Sequence, residues 1–192
     1  MKKVLVLTAH PDDLELACGG TVARFVDEGV EVTNLIVCSN VPHKKYVPES
    51  SKILGFNPLY LEHRDESITR EVVAEIEGLI DISSYDLLIT HWKEDWHQDH
   101  RFCHNLGNSL RRKQPLNVWY MNAYPYCQKY TSFDANVFVD ITKYIEQKKN
   151  SILCYKNVST KWTKDTEHLT AYRGAFIETQ HAEIFKVDTL IV

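Results

Sequence analysis

No apolar run in this chain approaches the roughly 20 residues that a membrane-crossing helix needs. The basic start Met1-Lys2-Lys3 leads into only residues 4–8 before a polar cluster, too short a stretch for a signal-peptide core. Cysteine is sparse and unpatterned. Cys18, Cys38, Cys103, Cys127 and Cys154 form no CxxC, and an odd number excludes a complete intrachain disulfide set, so they read as small apolar side chains in a reducing compartment. Positive charge is not in excess: 22 Lys plus Arg stand against 26 Asp plus Glu, a net charge of -4 with no electrostatic drive toward nucleic acid. Neither GxGxxG nor GK[ST] occurs, so the pair Gly19-Gly20 does not read as a phosphate cradle. No repeat, low-complexity tract or Pro/Gly/Ser-rich linker divides the 192 residues. The expectation is one soluble cytoplasmic domain over 1–192, without stable membrane insertion or a nucleic-acid partner.

What is present is an alternation of short apolar runs and amphipathic stretches. Val4-Leu5-Val6-Leu7 predicts a strand buried on both sheet faces. Gly19-Gly20 opens a predicted helix that carries Val22, Ala23 and Val26 and stops near Gly29. Further strands are predicted at 32–38, 57–61, 86–90 and 117–121. One intervening helix places Ile68, Val72, Val73, Ile76, Leu79 and Ile80 on a single face with Ser67 as its cap, and another carries Cys103, Leu106 and Leu110. The pattern is that of an α/β fold, a Rossmann-like three-layer sandwich with a mostly parallel central sheet. Beyond residue 121 the expectations are an edge strand at 136–140, a helix capped by Thr142 and running to about 154, and a short terminal helix over 169–176. Residues 156–167 lack periodicity and read as a mobile rim, where Trp162 either closes over a substrate or staples loop to core.

Two polar clusters follow predicted strands: His10-Pro11-Asp12-Asp13 after the first and His97-Gln98-Asp99-His100 after the fourth. Ligands of such sheets bind beyond the carboxyl ends of strands where the strand order reverses, so the clusters share a crevice if those two strands are neighbours there. Each cluster alone has a plain structural reading, a solvated turn for the first and a helix capped by Asp99 for the second. Their parallel placement points instead to a cation site. His10 and Asp13 converge from one turn, and His100 completes a two-histidine, one-carboxylate set that suits Zn2+ with an open position, Fe2+ being the alternative ion. A ferrous oxygenase uses the same ligand types, but usually in a β-rich barrel. Asp12 is then free to accept and return a proton, His97 to donate to an oxyanion, and Asp99 to hold the His97 ring. Cation, base and oxyanion donor together describe amide hydrolysis.

Ala9-His10-Pro11-Asp12-Asp13, continued by Glu15, Cys18-Gly19-Gly20 and Thr21, resembles the opening signature of the PIG-L/LmbE de-N-acetylases. His97-Gln98-Asp99-His100 resembles their H-x-D-H signature, and Arg173-Gly174 with His181-Ala182-Glu183-Ile184-Phe185 their closing A-E-x-F segment. The resemblance implies a zinc-dependent enzyme that removes an N-acyl group, generally acetyl, from an amino sugar or its conjugate. It assigns His10, Asp13 and His100 to the metal, Asp12 to the base, and His97 with Asp99 to polarising and orienting roles. Some relatives carry Glu directly after the two aspartates; here Leu14 intervenes, and Glu15 either orients a ligand or caps the helix start. A tyrosine found two places before H-x-D-H in some relatives is Asp95 here, expected to read a substrate hydroxyl, and the tyrosine's part is either absent or taken by Tyr124 or Tyr126.

Sugar recognition calls for hydroxyl-pairing and aromatic side chains beside the strand ends. Arg64 is either a substrate contact or an ion pair with Asp65 or Glu66. Trp92 and Trp96 either frame the pocket or pack over the sheet rim. The expected partner is a soluble N-acylated sugar, nucleotide-linked or on a small aglycone. Aromatics at 119–133 serve a homo-oligomer interface or cover the substrate. Two other functions fit the same residues: cleavage of another N-acyl group, including N-formyl, and a non-catalytic, metal-stabilised sugar-binding module.

Overall fold

The computed structural model describes residues 1–63, 70–123, 133–156 and 160–187. Its strands are β1 (Lys3–Thr8), β2 (Glu31–Ile36), β3 (Asn57–Tyr60), β4 (Leu87–His91), β5 (Asn117–Met121), β6 (Val137–Asp140) and β7 (Ala182–Val187). Its helices are α1 (Asp13–Asp27), α2 (Val47–Leu54), α3 (Arg70–Leu79), α4 (Gln98–Leu110), α5 (Ile145–Leu153) and α6 (Thr160–Gly174). The strands form one sheet in the order β3-β2-β1-β4-β5-β7-β6. β3, β2, β1, β4 and β5 are parallel, whereas β7 runs antiparallel to both β5 and β6.

Successive residues of a strand point to opposite faces, and here both faces are covered. Val4 and Val6 enter a core with Val22, Leu54 and Ile145 of α1, α2 and α5, while Leu5 and Leu7 enter another with Ile76 and Leu106 of α3 and α4. The result is the expected three-layer α/β sandwich with a mostly parallel sheet. Cys18, Cys38, Cys103 and Cys154 are buried free thiols, and Cys127 lies outside the described residues. No helix among the described residues is long and apolar enough to cross a membrane.

β1 lies between β2 and β4, with Leu7 opposite Leu35 on one side and Thr90 on the other. The connections from these neighbouring strands run to opposite halves of the sheet, which opens a crevice at their carboxyl ends. Both polar clusters leave the sheet at that crevice.

Several local expectations are corrected. α1 begins at Asp13, not at the glycine pair, and a kink at Cys18 (φ −138°, ψ 18°) divides it. At this break the Gly20 and Thr21 N–H groups donate to Glu183 Oε1 (3.0 Å) and Oε2 (2.7 Å), while Lys148 Nζ donates to the Glu15 and Leu16 carbonyls, both at 2.9 Å. Glu183 and Lys148, joined at 2.6 Å and fully buried, thus replace helix bonds that the kink removes. Gly20 is needed for contact: a Cβ there would lie 2.7 Å from Ile141 Cδ1. Thr142 does not cap α5; it starts a short 3-10 turn, and its Oγ1 accepts the His181 N–H at 3.2 Å. The supposed rim is helical from Thr160 onward, α2 was not anticipated, and the closing signature forms β7. Ser67 and Ile68 lie outside the described residues.

Candidate metal centre

The first cluster is a closed turn between β1 and α1. Pro11 restricts its backbone, and the Asp13 carboxylate accepts the His10 N–H at 2.7 Å, so the candidate ligand also fixes the shape of the turn. The second cluster starts α4. His97, not Asp99, is its N-cap: His97 Nδ1 accepts the Asp99 N–H at 3.2 Å. Asp95 braces the same entry, with Oδ1 accepting the His97 N–H (2.8 Å), and Arg101 donates to the Asp95 and Trp96 carbonyls.

The two loops meet. Asp13 Oδ1 is 3.2 Å from His100 Nε2, and Asp13 Oδ2 is 3.6 Å from His10 Nδ1. A tetrahedral zinc with ligands at roughly 2.0–2.1 Å sets its ligand atoms about 3.3–3.4 Å apart, a spacing these two distances bracket. The far nitrogen of each histidine is held by a carboxylate: His10 Nε2 by Asp99 Oδ2 at 2.8 Å and His100 Nδ1 by Asp95 Oδ2 at 2.9 Å. This is how imidazole ligands are aimed at a cation. The triads His10-His97-His100 and Asp13-His91-His100 each bring their donor atoms within 4.8 Å of one another. Asp13 and His100 are buried while His10 and His97 are partly exposed, so the cluster opens on one side.

Within the cluster the imidazoles and carboxylates shift one another strongly. Burial pulls both imidazoles down, but Asp13 outweighs it and raises His10 to about 9 and, with Asp95, His100 to about 10. Asp13 itself is pushed up by burial and pulled further down by His100 and His91, ending well below the ordinary carboxylate range. Asp12 is raised to about 6, mainly by burial and then by the neighbouring Asp13. His97 is lowered by burial and by its cationic neighbours His100 and His10. The arrangement offers one buried carboxylate as a candidate anionic ligand, two imidazoles that converge on it, and a separate carboxyl raised to about 6.

Several roles shift. Asp99 sits closer to His10 (2.8 Å) than to His97 (3.7 Å), so its side chain orients the former. Asp95 is buried against His100 and is not placed as a hydroxyl contact. Trp92 packs edge-on to Tyr120 and Phe133 inside the core, whereas Trp96 is 53% exposed beside the cluster. Glu15 neither orients a ligand nor caps a helix: its Oε1 accepts from the Ser50 and Tyr155 hydroxyls, and burial raises it to about 8. Trp119 packs at a tilt against Phe25 and Phe185. Arg64, Tyr124 and Tyr126 lie outside the described residues. Sequence reasoning read His91, with Trp92, only as a sugar-recognising group beside a strand end and gave it no place in the cluster, where its ring meets Asp13 and His100. A separate cavity of about 350 Å³, lined by residues including Phe138, Arg173 and Phe176, does not include the histidine cluster.

The family described as PIG-L, GlcNAc-PI de-N-acetylase, matches residues 5–110, more than half of the sequence and both polar clusters. The chain belongs to the PIG-L family. This PIG-L chain is 23% identical over 220 residues to the diacetylchitobiose deacetylase of Thermococcus kodakarensis, covering 95% of this chain and 82% of that one. It is 34% identical over 62 residues to the 1D-myo-inositol 2-acetamido-2-deoxy-alpha-D-glucopyranoside deacetylase of Tsukamurella paurometabola, a match spanning 28% of this chain and only 20% of that relative. Its fold is similar to the crystal structure of GalB, the 4-carboxy-2-hydroxymuconate hydratase of Pseudomonas putida KT2440, with a TM-score of 0.88, 14% identity and coverage of 100% and 98%.

Proposed function

We propose that this PIG-L chain is a metal-dependent hydrolase that removes an N-acetyl group from an amino sugar, nucleotide sugar or small glycoconjugate. The observation that carries this reading is the convergence of His10 Nδ1 and His100 Nε2 on Asp13, with a carboxylate holding the far side of each ring. His10, Asp13 and His100 would hold the ion, Zn2+ by ligand type. When bound it supplies Lewis acidity toward an acyl carbonyl and lowers the pKa of water.

The remaining groups divide the proton and charge work. Asp12, poised at about 6, takes a proton from the attacking water and returns it to the amine nitrogen as the C–N bond breaks. His97 accepts the Asp99 N–H at Nδ1, so its Nε2 carries hydrogen and donates to the oxygen on which negative charge develops. Arg64, Tyr124 and exposed Trp96 are assigned to the sugar.

The test is release of acetate and free amine from a panel of N-acetylated sugars and nucleotide sugars, with N-formyl analogues alongside. Products from the acetyl series, abolished in Asp12→Asn, support the proposal. A second reading draws on the fold shared with the hydratase: water added to a conjugated carbon–carbon double bond. Loss of diene absorbance without amine release favours it. Sugar binding without any product favours a non-catalytic module.

A further inference from the structure

One fully buried side chain reaches the centre without a role so far: His91, the last residue of β4. Its ring stacks on His100 with centroids 4.0 Å apart and planes at 25°. Nε2 accepts the Ala9 N–H at 3.1 Å and stands 3.3 Å from Asp13 Oδ2.

The hydrogen bond has a topological cause. Backbone pairing of β1 with β4 ends at Leu7 opposite Thr90, where β1 turns off into the His10–Asp13 turn. The Ala9 N–H goes to the His91 side chain instead of a strand carbonyl, while the Ala9 carbonyl accepts from Cys38 N–H at 2.8 Å on the β2 side. The residue before His10 is therefore gripped from both neighbouring strands.

An imidazole nitrogen that accepts an N–H has committed its lone pair, so the neutral ring carries its hydrogen on Nδ1 and Nε2 is not a ligand. That Nδ1 is buried without a hydrogen-bond partner among the described residues. An unpartnered interior N–H is a cost that a phenylalanine of similar shape would avoid, so packing alone does not account for histidine here.

We propose that His91 is a positioning residue of the metal centre. It fixes the His10–Asp13 turn through Ala9 and supports the His100 ring by stacking, without touching the cation. The proposal rests on the ligand set assigned above. Zinc affinity of the apoprotein, measured by competition with a chromophoric chelator, tests it in His91→Phe, which keeps the stack but not the acceptor, and His91→Gln, which restores an acceptor.

The expected result is a loss of about 10- to 100-fold in His91→Phe, with apoprotein Tm unchanged or raised, and substantial recovery in His91→Gln. Wild-type affinity in His91→Phe, or equal loss in both variants, overturns the proposal. A wild-type chain that binds no divalent ion overturns the ligand set instead. Nitrogen NMR of the wild-type apoprotein requires no variant: an unprotonated Nε2 with a protonated Nδ1 is expected, and the opposite tautomer refutes the positioning role.

Discussion

Lys148→Met should destabilise this chain more than any surface change, for reasons fixed by the kink in α1. The Lys148 ammonium uses its three donors on the Glu15 carbonyl, the Leu16 carbonyl and Glu183 Oε1, and neither it nor Glu183 is exposed. Replacement by methionine leaves a charged Glu183 in the interior and two helix carbonyls without their donor. Loss of one partner from a buried ion pair costs about 3–5 kcal/mol. At roughly 2–4 °C per kcal/mol for a chain of this size, Tm falls by roughly 6–20 °C. Urea unfolding followed by circular dichroism gives the free energies for Lys148→Met, Glu183→Gln and the double variant. Because the two groups share one network, the double variant should lose less than the sum of the singles by about 1–3 kcal/mol. A cost below about 1 kcal/mol for Lys148→Met, or additivity within about 0.5 kcal/mol, refutes the reasoning.

The adjacent glycines should separate under the same assay. Gly20→Ala costs about 1–3 kcal/mol by overpacking against Ile141, whereas Gly19→Ala, whose Cβ meets Leu54 only at 3.4 Å, stays within about 1 kcal/mol. Metal binding should release protons: His10 and His100, raised to about 9 and about 10, are both protonated at pH 7 and must lose those protons to become ligands. Affinity therefore rises with pH through neutrality, and calorimetry in buffers of different ionisation enthalpy should show net proton release; pH-independent affinity contradicts this. Asp12→Asn should keep its metal while turnover falls by about 10²- to 10⁴-fold, and unchanged turnover across pH removes Asp12 from proton transfer.

The sheet and the crevice were legible because their determinants are local. Val4 to Leu7 is apolar without interruption, residues 117–121 form β5 as predicted, and each polar cluster follows its strand directly. α2 and the first half of α6, ahead of the predicted terminal helix at 169–176, escaped notice because polar residues share their buried faces. α2 buries Val47, Ser50, Ser51 and Leu54, and α6 buries Thr163, Thr166, Thr170 and Arg173, a helical spacing that a search for apolar periodicity passes over. The kink was hidden for a different reason. Glu183 and Lys148 lie far along the chain from Gly20, and only the fold brings them to it. The convergence of His10, Asp13 and His100 was expected from residue chemistry, whereas the groups that face them were not: Asp95 faces His100, Asp99 faces His10, and His91 holds Ala9.

The most direct test of the central claim is elemental analysis of the purified chain beside His10→Ala and His100→Ala, each shown to be folded. The account predicts one tightly held divalent ion in the parent, of zinc type, and its loss from both variants. A full complement of metal in both would contradict it.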